Sequence, residues 1–283
     1  MAWTASADFN GLSDGNLAGQ GGGSGWSGNW VNGLTAQMLV TGTTTYEGAK
    51  SVDTVDASSG TFYYRALTSA VSGNGNIVYF AMRKSLNNSG EVSGGLRTAG
   101  TPGTSRVAVK LDASGNIVLS GSTSVTVLAG YSVDTWYVIR LTFNVDANTA
   151  TVAYSTTAFG GSGAWSAESS AVTMNSTGDI GNFQIQSDPN AGTSYLDYIS
   201  PTEPFSPVQN LTLAIDSASY TFTGNNIGLG MIYTIVINAA EYLFSSVGIN
   251  FTFRGWMNQS KNTSSYSNQS KSNSDTWSNQ SKT

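Results

Sequence analysis

The sequence predicts an all-β protein whose main body is two antiparallel sheets packed face to face, and three observations carry that prediction. Charged residues are only 10% of the 283-residue chain while Gly numbers 33, the usage of pleated strands joined by Gly-rich turns. Short β-branched and aromatic runs alternate apolar with polar positions. No stretch keeps the 3.6-residue apolar period that a helix needs to bury one face.

Taken in order, strand signals fall at GTFYYRAL (60–67), GNIVYFAMRK (75–84), RVAVKLDASGNIVLSG (106–121), SVTVLAG (124–130), TWYVIRLTFNVDANTATVAYS (135–155) and GNFQIQ (181–186). Within TWYVIRLTFNV, Tyr137, Ile139, Leu141, Phe143 and Val145 share one face, and Trp136, Val138, Arg140, Thr142 and Asn144 share the other. DASGN at 112–116 and DANT at 146–149 have the short, polar, Gly/Asn-rich chemistry of antiparallel hairpin loops. Pro201, Pro204 and Pro207 then restrict the chain too much for a central strand, which predicts a stiff linker at 201–207 after a first domain of residues 1–200.

Beyond the prolines the chain repeats itself. IDSASYTFTGNNIGL from Ile215 aligns with INAAEYLFSSVGINF from Ile237, pairing Tyr220 with Tyr242, Phe222 with Phe244 and Ile227 with Ile249. A unit this small cannot bury its own apolar face, so these six residues are expected to pack between neighbouring units or chains of a β-repeat module at 208–254. A second repeat, an aromatic and one spacer before NQSK, begins at Trp256, Tyr266 and Trp277 and closes at Lys261, Lys271 and Lys282. Its spacers are too polar to form a core, whereas three large rings are costly to leave in water. Residues 255–283 are therefore expected to be an extended arm whose aromatic anchors enter equivalent pockets of a repetitive partner surface, with the lysines favouring an acidic host.

Composition excludes much chemistry. Cys and His are both absent, which removes thiol chemistry, the usual zinc and iron sites and every His-dependent general base. The formal net charge is −5, and the acidic body with only a mildly basic tail gives nucleic acid no footprint. No apolar run approaches the ~18 residues of a membrane span, so neither membrane nor nucleic acid is expected as a partner. GQGGGSG at 19–25 lacks the Lys-Ser/Thr and following helix of a nucleotide-binding loop.

The opening ADFNGLSDGNLAGQGGGSGWSGNW, then FYYRAL, VYFAMRK, WYVIRLTFNVDANTATVAYS and SYLDYIS, resembles the concanavalin A-like lectin/glucanase jelly roll of laminin-G-like and pentraxin-like modules over residues 3–200. The resemblance implies a jelly-roll sandwich that displays aromatics to sugars; Trp26, Trp30, Tyr63, Tyr79, Trp136 and Trp165 are the available rings. It also implies that an acidic residue on the last strand, near the start of the chain, helps to hold a structural calcium; Asp8 and Asp197 match those places, with no other cofactor required. Enzymes of this fold carry Glu-x-Asp-x-Glu on one strand, but the five Glu at 47, 91, 168, 203 and 241 are far apart in sequence, so no catalytic residues are expected.

Residues 208–283, with their Ala-x-Tyr-x-Phe units leading into Trp-x-Asn-Gln-Ser-Lys, are similar to carboxy-terminal parts of structural proteins from tailed-bacteriophage particles. That similarity implies a virion location, other virion proteins (a major capsid protein or tail proteins) as partners, and self-association as a trimer or dimer. The expected role is a non-enzymatic capsid decoration protein with an outward lectin-like domain; the alternative is a tail or head fibre component that binds host glycans.

Overall fold

The computed structural model describes residues 1–33, 37–54, 61–87, 90–188 and 192–206 with their side chains, and 211–215 and 233–237 as backbone. The chain divides into two compact units, Met1–Val208 and Gln209–Thr283. The strands of the first are β1 (Gly15–Asn16), β2 (Val31–Asn32), β3 (Leu39–Thr41), β4 (Ser51–Asp53), β5 (Thr61–Val71), β6 (Asn76–Lys84), β7 (Val92–Thr98), β8 (Ser105–Leu111), β9 (Ile117–Ser120), β10 (Ser124–Leu128), β11 (Tyr137–Asn144), β12 (Thr149–Ser155), β13 (Val172–Thr173), β14 (Ile180–Ser187) and β15 (Ser194–Ser200). They form an eight-stranded sheet in the order β1-β3-β4-β15-β6-β11-β12-β13 and a seven-stranded sheet in the order β10-β9-β8-β7-β14-β5-β2, every pairing antiparallel. The two sheets stack as a jelly-roll sandwich.

Alternation builds the core between them. Tyr137, Ile139, Leu141, Phe143 and Val145 are buried as their spacing requires, and Val78, Phe80 and Met82 of β6 face them from the same sheet's inner side. Phe183 and Ile185 of β14 and Tyr63 and Leu67 of β5 close the core from the other sheet. The predicted hairpins are both present. Asp112 accepts the N–H groups of Ser114 and Asn116 through Oδ1 between β8 and β9, and Asn148 takes φ +53° between β11 and β12. The chain start is tied to the last strand of the sandwich, because Ala7 and Ile199 exchange both backbone hydrogen bonds at 2.7 and 2.9 Å. Four short strands between residues 15 and 53, and the Gly-containing β7, carry no alternation that a sequence reading could use.

The proline segment is not a free linker over its described part. Tyr198 donates its hydroxyl to the Thr202 carbonyl at 2.9 Å, Gly160 donates its N–H to the Pro204 carbonyl at 2.9 Å, and Phe205 is buried against Trp165. Residues 201–206 therefore lie on the sandwich and help to cover it.

In the second unit, β16 (Leu211–Ile215) and β17 (Tyr233–Ile237) pair in parallel, Leu211 beside Tyr233 through Ile215 beside Ile237. Each residue is paired with the one 22 positions on, the same offset that relates the two sequence units. Tyr220, Phe222, Ile227, Tyr242, Phe244 and Ile249, and the arm residues Trp256, Tyr266, Trp277, Lys261, Lys271 and Lys282, lie outside the described residues.

Candidate functional site

The outer face of the eight-stranded sheet gathers aromatic side chains, and strand registry says which. Tyr79 of β6 sits opposite Arg140 of β11, two rows from Tyr195 opposite Arg83, and all four alternate away from the core. Two groups result.

The first is largely covered by its own contacts, with Trp165 half-buried. Residues 156–171 run back along β12, where Ser166 and Ser169 donate their N–H groups to Tyr154 and Val152 at 2.8 Å each and return a side-chain hydroxyl to the same residues' N–H groups. This lays Trp165 against Tyr79 (5.7 Å between ring centres) and Phe205 (5.2 Å), with the Arg140 guanidinium 4.8 Å over the indole. Glu168 binds Arg140 at 2.7 Å, and Glu203 accepts the Trp165 Nε1 hydrogen at 2.8 Å. Gly163 leaves the room for this packing, since a Cβ there would lie 1.9 Å from the Phe205 ring.

The second group is open. Tyr46 lies within 5.9–6.3 Å of Trp136, Phe159 and Tyr198, and Phe159 and Tyr198 meet edge to face at 5.4 Å. Phe159 is 45% exposed, an unusual state for so large a ring. Phe159 and Tyr198 border a groove of about 390 Å³ whose other polar side chains are those of Asp8, Glu47, Ser6 and Ser200. A backbone irregularity creates it. The register of β15 shifts between Asp197 and Ser200, and Tyr198 at φ +52° turns into the groove while Ile199 enters the core.

Asp197 anchors this floor. Its carboxylate is fully buried and accepts the N–H groups of Tyr46 (2.9 Å) and Glu47 (3.2 Å) through Oδ2 and of Tyr198 (2.8 Å) through Oδ1. Burial pushes its carboxyl up to about 8, against the pull of those three amides, with the nearby Glu47 charge adding to the rise. Burial also raises Glu47, the Asp8 charge adds to that, and the hydrogen bond from Asn10 Nδ2 (3.1 Å) opposes it. Burial chiefly, then Tyr198 and Asp197, keeps the Tyr46 phenol protonated well above its ordinary value.

The aromatic residues singled out from sequence divide by burial. Trp30 and Tyr63 are 1% and 0% exposed, packed in the core, which corrects their assignment to sugar stacking: a ring with no free face cannot stack on a ligand. Trp26 is half-buried, packs on Trp3 and Trp30 at the edge of the core, donates its Nε1 hydrogen to the Ser6 carbonyl at 2.8 Å, and carries Arg65 over its ring. Tyr79 and Trp165 do reach the outer face but cover each other. Of the rings read from sequence, Trp136 alone joins the open group, and Tyr46, Phe159 and Tyr198 were missed. Phe159 had one legible signal, a lone aromatic beside Gly160 and Gly161 in a polar loop.

Asp8 follows Ala7, which bridges to Ile199 of β15, and so lies on the segment beside Asp197, but the Asp197 carboxylate is already occupied. Asp197 spends its carboxylate on three backbone amides, and among the described residues no group of three or more acidic side chains is placed to hold a metal.

No protein-family model matches the chain, and no curated protein sequence matches it. Solved structures with a similar fold include lectin II from Ulex europaeus, at 10% identity and TM-score 0.38 over 60% of this chain and 97% of that one. A Bacillus licheniformis β-glucanase aligns at 9% identity and TM-score 0.39 over 67% of this chain and 97% of that one. A sialidase aligns at 12% identity and TM-score 0.42 over 61% of this chain, which spans 16% of the sialidase's length.

Proposed function

We propose that the sandwich binds glycans, without cleaving them, in the groove bordered by Asp8, Glu47, Phe159 and Tyr198. The observation that carries this reading is the 45%-exposed Phe159 ring beside two carboxylates in a groove of about 390 Å³. A sugar needs that combination, an apolar face to cover one side of the ring and charged acceptors to take its hydroxyl hydrogens. Binding rather than hydrolysis is supported by the use of the other nearby carboxylates: Asp197 holds three amides, Glu168 holds Arg140 and Glu203 holds Trp165. Titration of purified chain against an oligosaccharide panel tests it. Saturable binding that Phe159→Ala weakens about tenfold, with no release of reducing ends, is the expected result; sugar release that Glu47→Gln abolishes would replace binding with catalysis.

The chain's setting on this reading is the surface of a tailed-bacteriophage particle. On this reading the carboxy-terminal module attaches the sandwich to capsid subunits as a decoration protein, supported by the 22-residue repeat and the three aromatic-NQSK units of residues 208–283. The groove favours a second placement, as a tail or head fibre component that touches host glycans. Copy number in purified particles separates them, hundreds for decoration and a handful for a fibre. Binding to capsids lacking the protein, with and without residues 256–283, tests the arm directly: saturation by the full chain alone supports a capsid clamp, and no binding by either rejects decoration.

A further inference from the structure

Arg65 stands where a core residue is expected. Strand β5 alternates so that Thr61, Tyr63, Arg65 and Leu67 share its inner side, and Arg65 is paired across to the fully buried Phe183 of β14. The guanidinium is 5% exposed and forms no ion pair among the described residues. It donates Nε to the Gly28 carbonyl at 2.6 Å and Nη1 to the Gly22 carbonyl at 2.7 Å, and lies 5.0 Å over the Trp26 ring. Two of its five N–H hydrogens are thereby used. A buried charge without a counter-ion is costly, and burial accordingly pushes the Arg65 guanidinium down to about 10.

Lys84, Arg97 and Arg106 are also held by carbonyls and amides, and Arg65 in addition borders a cavity. Asp8, Gly21, Gly22, Gly23, Trp30 and Arg65 line a cavity of about 50 Å³, more than one water requires. Trp30, 1% exposed, has no hydrogen-bond partner for its Nε1. The glycines permit the close approach: Gly23 takes φ +70°, and a Cβ there would fall 1.9 Å from the Ser6 carbonyl oxygen. A buried cation and an unmatched indole N–H, on two residues that line one cavity, ask for one species, an acceptor that carries negative charge.

We propose that this cavity is a binding site for a small monovalent anion, chloride or a carboxylate the size of formate, held by the Arg65 guanidinium and Trp30 Nε1. Asp8 also borders the cavity and its charge works against any anion, so the proposal is confined to a small monovalent one held on the Arg65 and Trp30 side, and a doubly charged phosphate is excluded. The site adjoins the glycan groove, since Ala7, Asp8 and Gly23 border both, but Arg65 and Trp30 line this cavity and not the groove. Occupation ties the 19–25 loop, through Gly22 and Arg65, to the inner side of β5.

Thermal unfolding of the full chain in sodium chloride, sodium formate and sodium gluconate at equal ionic strength tests it, because gluconate is too large to enter. At ten times the dissociation constant, chloride or formate raises Tm by about 3–5 °C over gluconate, and Arg65→Met removes the difference. Whichever of the two salts raises Tm identifies the anion. Should Arg65→Met fail to fold, bromide-soaked crystals of the unaltered chain decide: an anomalous peak within hydrogen-bond reach of Trp30 Nε1 and Arg65 is expected. Equal Tm in all three salts together with no bromide peak in the cavity overturns the proposal.

Discussion

Single side chains in this protein owe their roles to where a strand turns them. Phe159 and Trp30 are both large rings, but Phe159 is 45% exposed and Trp30 is 1% exposed. Phe159→Ala is expected to leave Tm almost unchanged while weakening glycan binding, whereas Trp30→Ala leaves a core cavity and costs about 3–5 kcal/mol, measurable by denaturant unfolding. Asp197 gives a pH prediction. Its folded-state carboxyl is raised to about 8, above the ~3.9 of an unfolded chain, so the protonated form is favoured by folding. That contribution is fully present below about pH 4 and is lost as pH rises to about 8; Glu47, also raised, acts in the same direction. Tm is therefore expected to fall across that interval, and a pH series with Asp197→Asn should show a flatter profile. The acidic residue itself was legible in SYLDYIS; its three amide donors were not, because two come from a loop some 150 residues earlier.

Elements differ in how plainly the sequence announces them. β11, with its clean alternation, and the DASGN and DANT hairpins follow from local chemistry, so their positions were legible. The irregular segment 156–171 has no period and only the Gly160-Gly161 turn signal, yet it decides which aromatics of the outer face stay open. It covers Tyr79 with Trp165 and stops at Phe159, leaving the groove beside it uncovered. Gly163→Val is expected to displace Phe205, whose ring lies where the new Cβ must go. The consequence is a loss of about 1–3 kcal/mol and a red-shifted tryptophan emission as Trp165 is uncovered, with glycan binding at Phe159 altered less than stability. The β15 irregularity is equally silent in sequence: strict alternation would send Tyr198 inward, and only a left-handed residue at that position turns it outward.

At the scale of the whole molecule, self-association through the second unit is an expectation that a measurement can check. The eight-stranded sheet ends in β1 and β13, two residues each, and the seven-stranded sheet ends in the two-residue β2 and the five-residue β10, so β10 is the longest edge that the sandwich offers another chain. The parallel pair β16–β17, by contrast, stacks equivalent residues of a repeat, a pattern that extends by adding further units. Light scattering is expected to find the full chain as a trimer or dimer and residues 1–208 as a folded monomer that still binds glycan. A monomeric full chain would remove self-association from the account.

The sequence by itself determined what is local or periodic. Alternation placed the core face of β11, turn chemistry placed two hairpins, the 22-residue repeat anticipated the offset at which β16 and β17 pair, and the absence of Cys and His removed whole classes of chemistry. Tertiary structure alone decided which aromatics are open, which carboxylates are occupied and that Arg65 sits inside. Those properties depend on contacts between residues far apart in the chain, such as Tyr46 with Asp197 or Gly22 with Arg65. No local pattern records such a meeting, because a strand's alternation gives the side a residue takes but not what later covers that side.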